Sequence, residues 1–147
     1  MSDRAGTPAR PEDLIDVDEV VSAYYDREPV EPVAFGTSGH RGSSLDGAFN
    51  EGHIAAIAAA IVEYRAEQGY DGELYIGRDT HALSEPAQRT AVEVFAAHGV
   101  TIRLDARNRF TPTPAVSLAI LRANGAGTDA GVRVKGPGLA DGVVITP

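Results

Sequence analysis

The segment Gly36-Thr37-Ser38-Gly39-His40-Arg41-Gly42 sets two hydroxyls, an imidazole and a guanidinium among glycines. Small residues let neighbouring backbone amides converge, and a guanidinium grips two phosphate oxygens at once, so this is anion-binding chemistry. The same residues also suit a tight solvent loop in which glycine serves only positive φ and Arg41 is solvated. The segment has neither the Gly-Lys-Ser or Gly-Lys-Thr ending of a Walker A loop nor the dinucleotide-binding spacing. A second charged group, Gly77-Arg78-Asp79-Thr80-His81, follows the apolar run Leu74-Tyr75-Ile76. Its place just past a strand suits a site, yet Arg78 and Asp79 could equally pair to brace the turn, and His81 reads as a ligand contact or as an ordinary exposed histidine. Phe110-Thr111-Pro112-Thr113-Pro114 reads as a rigid turn into a helix, since proline at the first helical position forgoes no hydrogen bond. His53 and His98 fall on helical stretches with no carboxylate or histidine at metal-ligand spacing, so both are expected at the surface or partly buried and satisfied, and no metal site is visible.

These groups need elements to hold them. Ile54, Ile57, Ile61 and Tyr64 recur at helical spacing and predict a helix over residues 50–68, capped by Asn50 and stopped by Gly69. A further helix is predicted over residues 84–98, with Ser84 as cap, Pro86 in the first turn and Gly99 as stop. A third begins at Thr113-Pro114, with the threonine as cap, and ends near Asn124-Gly125; a short helix is also predicted within residues 14–25. Strands are predicted at residues 33–35, 74–76, 100–104 and 143–145, with a glycine-rich loop or hairpin over residues 125–138. Strands alternating with helices give an α/β fold, a sheet with helices on both faces and right-handed crossovers wherever neighbouring strands are parallel. In such a sheet ligands collect at the carboxyl ends of strands, where the two charged groups lie. Residues 1–12, polar and carrying Pro8 and Pro11, are expected to form a flexible arm ahead of one domain over residues 13–147.

Composition narrows the partners. A chain of 147 residues with 43% apolar content can bury one sizeable core. Its net charge of −8 argues against nucleic acid and anionic membranes, whose own charge would repel it. There is no cysteine, which removes disulfides and thiolate chemistry and fits a reducing compartment. No apolar run has the length of a spanning helix and the first ten residues lack a signal core, so the expected location is the cytoplasm.

Four blocks in order carry a resemblance: Phe35-Gly36-Thr37-Ser38-Gly39-His40-Arg41-Gly42, Gly77-Arg78-Asp79-Thr80-His81-Ala82-Leu83-Ser84, Phe110-Thr111-Pro112-Thr113-Pro114-Ala115-Val116-Ser117, and the closing run Leu139-Ala140-Asp141-Gly142-Val143-Val144-Ile145-Thr146-Pro147. From about Leu14 onward the chain resembles the first domain of the α-D-phosphohexomutases, in the bacterial phosphoglucomutase branch. The resemblance implies a three-layer α/β/α sandwich with a mixed, mostly parallel sheet, and an enzyme that interconverts glucose 1-phosphate and glucose 6-phosphate through glucose 1,6-bisphosphate, with Mg2+ as cofactor and a phosphoserine as the phosphoryl carrier. It further implies that Thr37, Ser38, Gly39, His40 and Arg41 bind substrate or phosphate, with Arg41 the best placed to contact the phosphoryl group and Arg78, Asp79 and His81 secondary to it.

The sequence departs from that pattern at its end. In the family the closing run leads into Ser-His-Asn-Pro, whereas here Pro147 is last and no serine of the chain occupies the phosphoserine position. The Asp-x-Asp-x-Asp magnesium ligands, the sugar-recognition loop and the second phosphate loop of the other domains are also missing. The expectation is a catalytically inactive N-terminal portion of a phosphoglucomutase, with a sugar phosphate as the partner in the complete enzyme. The alternative is a non-catalytic module that binds a sugar phosphate or another protein. The surface that would meet the missing domains is expected to favour self-association.

Overall fold

The structure, a computed structural model, describes residues 5–36 and 39–147. A single 3-10 turn at Pro11–Asp13 precedes α1 (Val17–Asp26), α2 (Glu51–Gln68), β1 (Leu74–Arg78), α3 (Ser84–Ala97), β2 (Ile102–Arg103), α4 (Thr113–Ala123) and β3 (Asp141–Ile145). α1 starts later than its apolar pattern suggests because Asp16 caps it, its carboxylate accepting from the amides of Asp18 at 2.9 Å and Glu19 at 3.2 Å. α2 has the predicted ends, with the Asn50 side chain accepting from the His53 amide at 3.1 Å and Gly69 following the last turn.

Two predicted caps are corrected. Ser84 and Thr113 are the first residues of their helices, after Leu83 and Pro112, and neither cap position supplies a side-chain hydrogen bond. The Ser84 hydroxyl is drawn away by the Asp79 carboxylate, to which it donates. Residues 33–35 are also corrected: they run extended but pair with no strand, so the sheet among the described residues has three strands. The pairing reduces the predicted strand at residues 100–104 to Ile102–Arg103, because only Leu74 and Tyr75 of β1 reach it.

The strand order is β2-β1-β3, and both pairs are parallel. The expected mixed character therefore has no antiparallel member among the described strands, while the parallel sheet flanked by helices is as predicted. The alternation of side chains along a strand divides β1 between two layers. Leu74 and Ile76 enter a core shared with Ala87, Ala91 and Phe95 of α3, Ile54 and Ala58 of α2, and Val20 and Tyr24 of α1. Gly77 points to the other face, where α4 lies so close that an added Cβ would stand 2.5 Å from Val116 Cγ2; at Gly142 of β3 it would stand 2.8 Å from Ile120 Cδ1. Glycine in these two strand positions is what lets the second helical layer approach the sheet.

The sheet is tied at its starting end by Arg65 of α2, only 4% exposed. Its guanidinium pairs with Asp141 at the head of β3 and donates to the Gly72 carbonyl at 2.7 Å. Asn124, just past α4, clamps the same strand entrance, donating to the Ala140 carbonyl at 2.8 Å and accepting from its amide at 2.9 Å. With one end fixed, the opposite ends of β1 and β3 open side by side.

Candidate functional site

After β1 the chain moves to β2 at one edge, then crosses β1 to reach β3 at the other. The strand order reverses there, and such a reversal leaves a crevice at the carboxyl ends of the strands. Arg78 lies in register with Ile145 across the pair, and the Asp79 amide donates to the Ile145 carbonyl at 3.2 Å. A groove of about 320 Å³ adjoins this end. Its wall is apolar, with Ile57 and Ile61 of α2 facing Val143 and Ile145 of β3, and Gly39, His40, Arg41, Thr146 and Pro147 complete it. Two regions far apart in sequence, the glycine-bounded loop and the exit of β3, thus share one concavity.

The loop's neck is closed by the Gly36 amide, which donates to the Gly39 carbonyl at 3.0 Å. Gly39 sits at φ 151°, a conformation that side chains disfavour, which accounts for glycine there. His40 lies over Phe49, the ring centroids 5.9 Å apart and the planes at 11°, and its Nδ1 donates to the Ala34 carbonyl at 3.2 Å. Arg41 is exposed and lines the groove next to it. Thr37 and Ser38, the two hydroxyl residues predicted to bind phosphate, lie outside the described residues.

The second charged group sits elsewhere: Arg78, Asp79 and His81 do not line this groove. Arg78 is 6% exposed, its Nη2 donating to the Asn108 carbonyl at 2.9 Å and standing 3.5 Å from the Glu85 carboxylate. Its guanidinium carbon lies 5.1 Å above the Phe110 ring, and its carbonyl accepts from the Thr111 amide at 2.9 Å. Asp79 accepts from the His81 amide at 2.9 Å as well as from Ser84, and His81 Nδ1 accepts from the Leu83 amide at 3.1 Å. These bonds fold the β1–α3 connection on itself and fasten it to the β2–α4 connection. Asp105 orders that second connection by accepting from the amides of Arg107 at 2.9 Å and Arg109 at 3.3 Å, and these amides, Arg107's first, hold its carboxyl below the ordinary aspartate range.

His53 is the residue that sequence reasoning placed wrongly. It is 3% exposed, its Nε2 donates to the Glu31 carbonyl at 2.7 Å, and its ring centroid lies 4.8 Å from that of His40. Its Nδ1 is buried with no hydrogen-bond partner among the described residues. The signal was its place three residues after the Asn50 cap, on the turn that faces the chain entering the loop. His98 is exposed, with Nδ1 bonding the Val94 carbonyl at 2.8 Å. No group of three histidine, aspartate or glutamate side chains that could hold a metal ion is found among the described residues. Among the described residues, no helix is long and apolar enough to cross a membrane.

A parallel sheet that reverses strand order beside a glycine-bounded loop, with helices on both faces, defines an α/β/α domain of the kind that holds ligands at strand ends. Residues 32–147 match the phosphoglucomutase/phosphomannomutase alpha/beta/alpha domain I, and the chain belongs to that family. It is 51% identical over 152 aligned residues to a protein of Komagataeibacter xylinus named phosphoglucomutase. That alignment takes in 100% of this chain and 26% of the relative's length.

Proposed function

We propose that this chain provides the first sugar-phosphate-handling domain of a phosphoglucomutase that interconverts glucose 1-phosphate and glucose 6-phosphate through glucose 1,6-bisphosphate. The observation that carries the reading is the meeting of Gly39, His40 and Arg41 with Thr146 and Pro147 around one groove. In the family's chemistry the phosphoserine follows the run that ends here in Thr146 and Pro147. Arg41 therefore stands where a guanidinium would meet a phosphoryl group carried at that point.

Its role is electrostatic. Paired hydrogen bonds from Arg41 hold two phosphoryl oxygens, fix the group's orientation and spread the charge that moves during transfer. The apolar wall of the groove lowers the local dielectric and strengthens that interaction. Mg2+, when bound in the complete enzyme, neutralises phosphate charge, and no step in this chain is assigned to it. The part assigned to these residues is to bind and orient the phosphoryl group beside Thr146 and Pro147.

Titration of the chain with glucose 1-phosphate by heteronuclear NMR tests the reading. Saturable shifts are expected at Gly39 and Arg41, and Arg41→Ala should weaken binding by about ten- to a hundredfold, the loss of a charge-assisted pair. Absence of saturable binding, or equal binding by the alanine variant, would refute the assignment of this loop.

A further inference from the structure

The loop's pose depends on a residue outside it. The entry limb passes Glu31 and Ala34, and the exit limb contains His40 and Arg41. Both limbs meet the first turn of α2 through two imidazoles. A carbonyl oxygen only accepts, so His53 must carry its proton on Nε2, toward Glu31 at 2.7 Å, and His40 must carry its proton on Nδ1, toward Ala34 at 3.2 Å. His53 is anchored below by the helix cap, since Asn50 accepts from its amide at 3.1 Å. His40 packs on Phe49, and its ring centroid lies 4.8 Å from that of His53. The chain of contacts runs from α2 through His53 to His40, and Arg41 is the next residue along the backbone.

The burial is informative. His40 Nε2 and His53 Nδ1 are both shielded from solvent with no hydrogen-bond partner among the described residues. An unsatisfied buried nitrogen is unfavourable, and a phenylalanine would fill either ring position without that penalty. What imidazole adds over phenylalanine is the single N–H on the opposite edge, directed at the loop's backbone.

We infer that His53 is a positioning residue for the anion-binding loop: through its Nε2–H bond to Glu31 and its packing on His40, it fixes the limb from which Arg41 reaches the phosphate. The inference rests on the functional reading given above. Nothing about it requires His53 to touch the ligand.

Two substitutions separate the N–H from the ring. His53→Phe keeps the packing and removes the donor, whereas His53→Gln keeps an amide donor and loses the ring. Without ligand, the ring nitrogens of His40 are read by long-range 1H–15N correlation, and the Nδ1–H tautomer is expected in the parent chain and in His53→Gln but mixed tautomers in His53→Phe. With glucose 1-phosphate, His53→Phe should bind at least fivefold more weakly and His53→Gln should recover to within about twofold, while both retain the parent's helical circular dichroism. Phenylalanine leaving the His40 tautomer and the affinity unchanged, or glutamine losing as much as phenylalanine, would overturn the inference. If His53→Phe does not fold, a His53→Gln chain with mixed His40 tautomers or more than threefold weaker binding has the same consequence. A parent chain that shows the fixed His40 tautomer but no binding refutes the functional reading alone.

Discussion

The two faces of the sheet are built on different terms. On one, α1, α2 and α3 press Tyr24, Phe49, Leu74, Ile76 and Phe95 into a cluster in which no side chain exceeds 8% exposure. On the other, α4 buries Val116 alone, and Leu118 and Leu121 each stand 46% exposed. The first layer is held by apolar volume; the second is held by proximity, through Gly77 and Gly142. Volume tolerates small shifts because many contacts share them, whereas a glycine-mediated approach fails as soon as one carbon is added. The candidate site lies on the side of the well-packed layer, with α2 forming its wall.

That contrast can be broken most strongly at Phe95, which is fully buried. Phe95→Ala should lower unfolding free energy by about 3–5 kcal/mol, while Leu118→Ala on the exposed side of α4 should stay within about 0.5 kcal/mol. Urea denaturation of both variants measures the gap, and equal effects would show that the two faces contribute alike.

A smaller loss, about 1–3 kcal/mol, is expected for Gly77→Ala, because the added Cβ displaces Val116 and α4 with it. Hydrogen exchange should report faster opening of α4 than of α2 in this variant. Uniform acceleration across both helices would contradict the separate footing of the two layers.

Tyr24→Phe sharpens the comparison at the level of about 1 kcal/mol, since it removes the hydroxyl that donates to Thr90 at 2.9 Å inside the core. Burial raises this phenol above the ordinary tyrosine value of 10.0. Its contribution is therefore full below that value. It is lost as pH rises through the range in which the unfolded chain ionises and the folded phenol does not. Stability measured from pH 8 upward should show the parent's advantage over Tyr24→Phe shrinking beyond pH 10, and a constant gap would refute the assignment.

Much of the scaffold is legible in the residues. Asn50 and Gly69 bound α2 because caps are local chemistry, and Gly99, at φ 74°, turns the chain after α3. Ser84 and Thr113 look like caps of the same kind and are not, because Asp79 captures the serine and Pro112 already occupies the position before α4. The anion-binding character of residues 36–42 is readable from their types. The bracing of Arg78 by Asn108, Phe110 and Glu85 is not, since it joins residues up to 32 apart by number only after β1 and the β2–α4 connection are adjacent.

The sequence by itself determined the repeating strand-and-helix order, the glycine-bounded loop and the family to which they belong, because helix caps, apolar periodicity and contiguous motifs act over a few residues. Only the tertiary structure decided that residues 33–35 remain unpaired, that the loop meets the end of β3 rather than Arg78, and that His53 stands beneath it. These outcomes depend on which distant surfaces exclude water together, and burial of that kind is a property of the assembled sheet and helices, absent from any short stretch of chain.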